Sequence, residues 1–299
     1  MIKVGLRHNL IYPLLLIIFS AIRKIDYFVM DLILGFNYSL LLTLLMFLGE
    51  IAFGLIFFVY QKSFLSRNKR QTYMGIKLIK GKSEISPRDK CYTIYFLIFI
   101  SSFLDFLEFI LSTYYLPQIA NISKSLEIRL SSFLTMFSAL ISVFFLKLPI
   151  FKHQIISLII IFICLIIIVI LEIPKFLNNG FSGLGMIFFI HFSNSLFDSI
   201  EKYLLEFNFL NPFKKLMIEA IFGFLISMGY SFYENPFTQI KSFYNNNDLS
   251  HFILLIILLV LYFLLSGGRN AYRVLTNKIY SPTTKSLSDY FLNPILLFL

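Results

Sequence analysis

The stretch that decides the fold class spans residues 153–172 and reads HQIISLIIIFICLIIIVILE, with one Asp, Glu, Lys or Arg, at its last position. A helix of about 20 apolar residues crosses a hydrocarbon core roughly 30 Å thick. Stretches of similar length recur along the chain, whereas the short alternating strands of a transmembrane barrel do not. We therefore predict nine membrane-spanning helices, over residues 9–30, 38–60, 91–111, 123–146, 153–172, 182–204, 213–233, 250–274 and 283–299.

The composition of the whole chain excludes an ordinary soluble enzyme and a disordered protein. Of its 299 residues, 58% are hydrophobic and 14% are charged, whereas soluble domains have about 45–50% apolar and about 25% charged residues. A soluble fold of this size could not bury so much apolar surface. We therefore expect an all-α integral membrane protein whose surroundings are the lipid bilayer.

The basic residues mark the loops between the apolar stretches. The chain has 26 Lys and Arg against 16 Asp and Glu, and membrane topology explains their positions better than nucleic-acid binding does. The loop over residues 61–90 carries nine of them, and the loop after the sixth span is assigned Lys202, Lys214 and Lys215. Because cytosolic loops are the basic ones, this pattern places the N-terminus in the cytosol.

Two segments of the sequence allow a second interpretation, and a third is predicted to be a loop. Residues 3–22 also resemble a secretory signal, although two basic residues follow at once. The 61–90 loop is a topology determinant and solvated linker, or alternatively a contact for anionic lipid. Residues 235–248 are predicted to form a polar loop on the far side of the membrane.

Polar residues inside the spans recur at helical spacing. In the third span they are Ser101, Asp105, Glu108 and Ser112, which fall on one helix face. The eighth span has a similar face that includes Arg273. Ionisable residues in a span cost several kcal/mol on insertion scales, about 2.5–3.5 each at the centre, so they face a cavity or a partner. The alternatives are a polar cavity, with Arg129, Arg273 and Lys285 as anion contacts, and a set of interhelical fasteners.

Motifs of enzymes and metal sites are missing from the sequence. We find no H-E-x-x-H, G-x-S-x-G, Walker or G-x-G-x-x-G pattern, and the two cysteines are far apart without a metal-ligand spacing. We therefore predict neither catalytic activity nor a cofactor nor a metal site.

Several short motifs resemble one family. Residues 46–50, MFLGE, resemble the same stretch of the drug/metabolite transporter superfamily, in the F-type branch of solute carrier family 35, whose members are similar to nucleotide-sugar transporters. Residues 125–129 resemble its Gln-Met-Leu-Arg-Gly stretch, with Arg129 at the arginine and Leu130 at the glycine. Glu201-Lys202 resembles its Glu-Lys pair, and residues 219–223, EAIFG, resemble its Glu-Gly-Leu-Phe-Gly.

The resemblance continues to the end of the chain. Asn270 and Lys278 match an Asn and a Lys of the family, and residues 281–285 resemble its Ser-Ala-Thr-Thr-Arg, followed by Asp289 at the matching spacing. Lys285 stands where the family has arginine, so the charge is kept without the bidentate grip. In all, the similarity covers about residues 38–293.

The resemblance implies a fold of ten helices in two inverted five-helix halves, with the binding site near the midplane between them. The halves would be residues 1–172, including the basic loop, and residues 173–299. The tenth helix is missing from the second half. The sequence is then a fragment, or its C-terminus lies on the far side of the membrane.

The function implied is that of a multi-pass solute carrier for a small polar or anionic metabolite, such as a nucleotide sugar, by alternating access. Arg129 and Lys285 would hold negative charge on the substrate, and Asn270 and Thr284 would donate hydrogen bonds. Acidic residues would balance these bases or carry a coupled proton: Glu50, Asp105 and Asp289. Residues of gates or of the fold would be Glu201, Lys202, Glu219, Gly223 and Lys278.

The alternatives are a non-transporting membrane scaffold or degenerate transporter paralogue and, less favoured, a channel or an intramembrane enzyme. The expected partners are a small-molecule substrate and the bilayer, with a homodimer left open and no nucleic acid. The resemblance implies an endomembrane location, in the Golgi, the endoplasmic reticulum or a lysosome-like compartment.

Overall fold

A computed structural model describes residues 11–36, 38–64, 89–115, 130–147, 152–179, 182–232, 236–280, 282–283 and 285–286. Within these residues, all regular structure is helical. The helices are α1 (Ile11–Leu32), α2 (Ser39–Phe64), α3 (Cys91–Ile110), α4 (Ser132–Phe144), α5 (Lys152–Asn179), α6 (Ser182–Glu206), α7 (Pro212–Tyr230), α8 (Pro236–Asn246) and α9 (Leu249–Ile279). One π-helical segment, Leu111–Tyr115, continues α3.

The all-helical prediction is confirmed for the described residues. Helices α1 to α7 and α9 fall on the first eight predicted spans. Four helical stretches are long and apolar enough to cross a membrane: Ser39–Tyr60, Cys91–Ile110, Gln154–Leu171 and Leu249–Ile279. Helix α5 continues to Asn179, past the predicted boundary between the halves at residue 172. Most of the predicted ninth span lies outside the described residues.

The predicted polar loop over residues 235–248 is wrong, because Pro236–Asn246 forms helix α8. Proline suits the first turn of a helix, since its missing N–H would have no intrahelical partner there. Ile240 and Phe243 are three residues apart and therefore share a face. Phe243 is buried, and its ring packs edge-on against Phe36 at 5.6 Å. Packing of the face that carries Ile240 and Phe243 stabilises this helix, although its largely polar sequence is typical of a loop.

Helix packing is organised around α2, α3, α7 and α9. Helix α9 packs against α1 and α2, helix α7 against α2 and α3, and helix α6 against α3 and α4. The contacts of α9 with α2 advance in the same direction along both chains, from Gly49 beside Gly267 to Glu50 beside Asn270. These two helices are therefore parallel. Helices α1 and α9 are antiparallel, since Phe19 contacts Tyr272 and Arg23 lies over Tyr262.

Glycines bring the helices of two crossings into close contact. A Cβ atom added to Gly267 on α9 would lie 2.5 Å from the carbonyl oxygen of Gly49 on α2. At the crossing of α2 with α7, a Cβ atom on Gly54 would lie 3.2 Å from that of Met217, and one on Gly223 would collide with the Phe47 ring. Small residues of this kind are the usual means by which apolar helices pack backbone to backbone.

Apolar side chains cover the outside of the bundle as well as its interior. On α5, only 6% of the stretch from Gln154 to Leu171 is buried. Among the described residues, the largest internal apolar cluster joins α1, α2, α3, α7, α8 and α9 and includes Phe36, Phe106 and Tyr262. The polar and charged side chains described next lie between these apolar regions.

Candidate functional site

A buried polar contact joins α2 to α9. Glu50 has 0% exposure, and its carboxylate accepts a hydrogen bond from the side-chain amide of Asn270, which is also fully buried. The Asn270 carbonyl oxygen accepts from Arg269 at 3.1 Å. The second oxygen of Glu50, Oε2, has no hydrogen-bond partner among the described residues.

A matching contact joins α7 to α3. The hydroxyl of Ser101 donates to Glu219 Oε1 at 2.7 Å, and the hydroxyl of Ser102 donates to the Glu219 carbonyl oxygen at 2.8 Å. All three residues have 0% exposure. Glu219 also accepts from the ammonium group of Lys215, one helical turn earlier on α7. This carboxylate is therefore fully used.

The two contacts occupy equivalent positions in the chain. Residues 50–54 read EIAFG and residues 219–223 read EAIFG. Glu50 and Ser101 are 51 residues apart, as are Glu219 and Asn270. Each glutamate is bound by the polar residue 51 positions after the other one. The two similar segments, each followed 51 residues later by a polar residue, indicate an internal repeat in the sequence. The separate motifs do not reveal it.

Between these contacts, an ion pair joins α9 to α3. Arg273 Nη1 lies 3.5 Å from Asp105 Oδ1, and the side-chain exposures are 2% and 8%. The guanidinium group also lies over the Phe197 ring of α6, 4.5 Å from its centre. Arg273 Nε and Nη2 and Asp105 Oδ2 are buried without a partner among the described residues. Three of the five polar side-chain atoms of this loose pair are therefore unused among the described residues.

A second group of charges lies where α6 ends and α7 begins. The Lys215 ammonium is 2.6 Å from Glu201 Oε1, and Asn277 donates to Glu201 Oε2 at 2.8 Å. Close by, Lys285 donates to Asp198 Oδ2 at 2.9 Å. All of these side chains have at most 1% exposure.

The end of α9 is held by a lysine of α6. Lys202 Nζ donates to the carbonyl oxygens of Lys278 and Tyr280 at 3.0 and 2.6 Å. The last carbonyls of a helix have no partner within the helix, so a lysine there satisfies them and interacts favourably with the helix dipole. Lys202 also forms an ion pair with Glu206 at 3.4 Å. Its role in this structure is to fix the α6–α9 contact.

The buried carboxylates differ in whether a base contacts them. Among the described residues, Asp105, Asp198, Glu201 and Glu219 each contact one of the buried bases Arg273, Lys285 and Lys215. Glu50 contacts the neutral amide of Asn270, which in turn accepts from Arg269. A buried carboxylate without a counter-charge in contact is costly.

The structure brings together many of the residues predicted from the sequence. The described ones are Glu50, Asp105, Glu201, Lys202, Glu219, Gly223, Asn270, Lys278 and Lys285. Arg129, Thr284 and Asp289 lie outside the described residues. Gly223 serves the α2–α7 crossing, and the backbone of Lys278 is bound by Lys202. Lys285, predicted to hold a substrate anion, pairs here with Asp198.

The predicted set omitted Asp198, Lys215 and Asn277, and the assignment of Lys215 to a loop is wrong. Asn211 accepts a hydrogen bond from the Phe213 N–H at 3.0 Å and thereby caps α7, with Pro212 in the first turn. This cap starts the helix early enough to include Lys215. The four-residue spacing from Lys215 to Glu219 is the signal that could have identified the pair.

A groove of about 440 Å³ lies elsewhere, on the outer face of α6. It is lined by Leu184, Gly185, Phe188, Phe189 and Phe192. This apolar lining suits hydrocarbon and offers a polar solute no hydrogen-bond partner. The network of α2, α3, α6, α7 and α9 is therefore the candidate site. Comparison of the chain with protein-family models and with curated proteins finds no match.

Proposed function

We propose that this chain is a multi-pass membrane carrier that moves a small polar or anionic metabolite by alternating access. The observation that carries the proposal is the repeated contact of a buried glutamate, Glu50 with Asn270 and Glu219 with Ser101. Each contact joins one proposed half of the chain to the other. A carrier of this type requires a polar site between two equivalent halves.

The packing of the helices supports two equivalent halves. In the proposed correspondence, α1 matches α6, α2 matches α7 and α3 matches α9. The α1–α9 contact then corresponds to the α6–α3 contact, and the α2–α9 contact corresponds to the α7–α3 contact. All four contacts are present in the structure. The α2–α7 contact maps onto itself. If each helix except the short α8 crosses the bilayer once, α1 and α6 cross in opposite directions, because four crossings, an even number, lie between them. This is the arrangement of an inverted repeat.

The distribution of apolar and charged side chains supports insertion into a bilayer. Large apolar residues are exposed on the outer faces, for example Ile156, Phe162 and Ile257 at 59%, 49% and 58%. Charged residues such as Glu50 and Lys215 are fully buried inside. Lipid favours this distribution, because hydrocarbon solvates the exterior while ionisable residues face the interior of the bundle.

The substrate class and the location rest on the family resemblance. That resemblance favours an anionic solute such as a nucleotide sugar, an endomembrane location and a cytosolic N-terminus. The basic loop over residues 61–90 supports the same orientation, since it would then face the cytosol.

The test is a ligand-induced thermal shift on the purified protein in detergent. The panel contains nucleotides, nucleotide sugars, phosphorylated sugars, neutral sugars and neutral amino acids. A ligand at 100 times its dissociation constant stabilises the folded state by about 2.7 kcal/mol. We expect one anionic class to raise the melting temperature of the wild type and of the exposed-site control Lys214→Ala, and to leave Arg129→Ala unchanged. A folded protein that responds to no compound would contradict the carrier.

The second candidate function is a non-transporting membrane scaffold. It is favoured by the ion pairing of Arg273, Lys215 and Lys285, each of which has a carboxylate partner within 3.5 Å. Buried Leu130, which stands where the family has glycine, packs into the α4–α6 core. A scaffold predicts no response in the thermal-shift panel, so the same experiment separates the two functions.

A further inference from the structure

The two equivalent glutamates differ in their partners. Glu219 is bound by the ammonium of Lys215 and by the hydroxyl of Ser101. Glu50 accepts from the neutral amide of Asn270, and its Oε2 atom is buried without a hydrogen-bond partner among the described residues. Among the described residues, Glu219 is therefore neutralised by a lysine, whereas the equivalent Glu50 has no cation in direct contact.

Among the described residues, the charged groups that face Glu50 do not supply a counter-charge by contact. From α9, Arg273 pairs with Asp105, and Arg269 reaches Glu50 through the Asn270 amide. From α3 and α7, the facing groups are the carboxylates of Asp105 and Glu219, the latter held by Lys215. Each base near Glu50 is thus already in contact with another carboxylate or with Asn270, and none of them contacts Glu50 itself.

An ionised carboxylate in this position would carry a large cost. Glu50 has 0% exposure and lies next to a close backbone contact of α2 with α9, at Gly49 and Gly267. A buried carboxylate that cannot pair takes up a proton instead of remaining charged. Protonated Glu50 still offers its carbonyl oxygen to the Asn270 amide, so the observed hydrogen bond is kept.

We propose that Glu50 binds a proton in this conformation and that release of this proton loosens the α2–α9 contact. The neutral acid gives its proton to water and becomes a buried carboxylate with no cation in contact, which is costly to keep away from water. Since α2 belongs to one proposed half and α9 to the other, proton binding at Glu50 would couple to movement of the halves. This coupling role rests on the proposed carrier function, whereas the proton site itself does not.

Infrared difference spectroscopy of the purified protein in detergent tests the proton site. The carbonyl stretch of a protonated carboxyl group is separate from the bands of a carboxylate. At neutral pH, we expect the wild-type minus Glu50→Gln spectrum to show one carboxylic acid band. The matched comparison, wild type minus Glu219→Gln, is expected to show carboxylate bands, because Lys215 keeps that residue ionised.

Controls keep the infrared test decisive. Glu206→Gln changes a glutamate whose side chain is 49% exposed and is expected to remove carboxylate bands only. If Glu50→Gln does not fold, Glu50→Asp keeps an acid at the position and is expected to shift the band. Carboxylate bands in the Glu50 difference spectrum at neutral pH would overturn the proposal.

Hydrogen–deuterium exchange tests the loosening of the α2–α9 contact. Rates corrected for intrinsic exchange are compared at a pH where the acid band is present and at one where it is lost. We expect amides of Ser39–Phe64 and Leu249–Ile279 to exchange several-fold faster in the wild type at the higher pH, and Glu50→Gln to show no such change. Equal rates in the wild type would refute the coupling. Neither measurement needs a transported solute, so failure here is distinguishable from failure of the carrier.

Discussion

At the scale of single residues, Lys215 is the centre of the buried charge network. Its ammonium contacts both Glu201 and Glu219, and none of the three side chains is exposed. Removing one partner of a buried ion pair leaves an uncompensated charge, whereas exchanging the whole pair for apolar residues is often tolerated. The network is therefore most sensitive to the loss of this one lysine.

We predict that Lys215→Met lowers the free energy of unfolding by about 3–5 kcal/mol, since two buried carboxylates lose their shared cation. The matched control is Lys214→Met, one position earlier on the exposed face of α7, which is expected to change it by less than about 0.5 kcal/mol. Thermal unfolding of the two variants in detergent measures the difference. Equal melting temperatures would show that the Lys215 contacts do not stabilise the fold.

Sequence patterns predict some of these contacts and not others. Helical spacing places Asp105 with Ser101 and Arg273 with Asn270 on polar faces, and these faces meet in the structure. Spacing within one helix does not reveal which residue of another helix lies opposite. Thus the spacing on α6 and near residue 285 does not reveal that Lys285 pairs with Asp198, and its predicted role as a substrate contact stays a prediction.

At the scale of helices, two close crossings depend on glycine. Gly49 and Gly267 bring the backbones of α2 and α9 together beside the Glu50–Asn270 hydrogen bond. The added Cβ atom of an alanine at Gly267 would meet the Gly49 backbone and the Phe53 ring at 2.5 Å. Backbone cannot move aside as a flexible side chain can, so the two helices must separate.

We predict that Gly267→Ala destabilises the protein by about 1–3 kcal/mol, the usual range for overpacking. Gly185→Ala is the control, because an added Cβ atom there has no atom within 4 Å among the described residues. Alanine is also the better helix former, so this control is expected to be neutral or slightly stabilising. The prediction fails if thermal unfolding ranks the two variants equally.

Helix positions follow from the sequence better than helix contacts do. Apolar stretches of about 20 residues predict the positions of α1 to α7 and α9, and four helical stretches of the structure are long and apolar enough to cross a membrane. Helix α8 escapes this criterion, since it has 11 residues and is largely polar. Its stability comes from Phe243 and its neighbours against the end of the bundle, which only the tertiary structure reveals.

At the scale of the whole molecule, the polar network lies between two sets of helices with the same packing pattern. The pairs α1–α9 and α3–α6 correspond, as do α2–α9 and α3–α7. The equal spacing of 51 residues from Glu50 to Ser101 and from Glu219 to Asn270 supports the same correspondence. The central claim is that these halves cross the membrane in opposite orientations around the network.

Side-specific cysteine labelling tests this claim most directly. In a background with Cys91→Ser and Cys164→Ser, single cysteines are introduced at two exposed positions that follow the equivalent helices α1 and α6. They are Ile33→Cys, at a residue with 66% exposure, and Lys214→Cys. A membrane-impermeant maleimide is then applied to sealed vesicles of known orientation.

If the two halves have opposite orientations in the membrane, the cysteine at position 214 reacts from the cytosolic side and the cysteine at position 33 reacts from the other side. Detergent should make both accessible, which controls for intrinsic reactivity. Labelling of both cysteines from the same side of intact vesicles would contradict the inverted arrangement, and with it the carrier built on it.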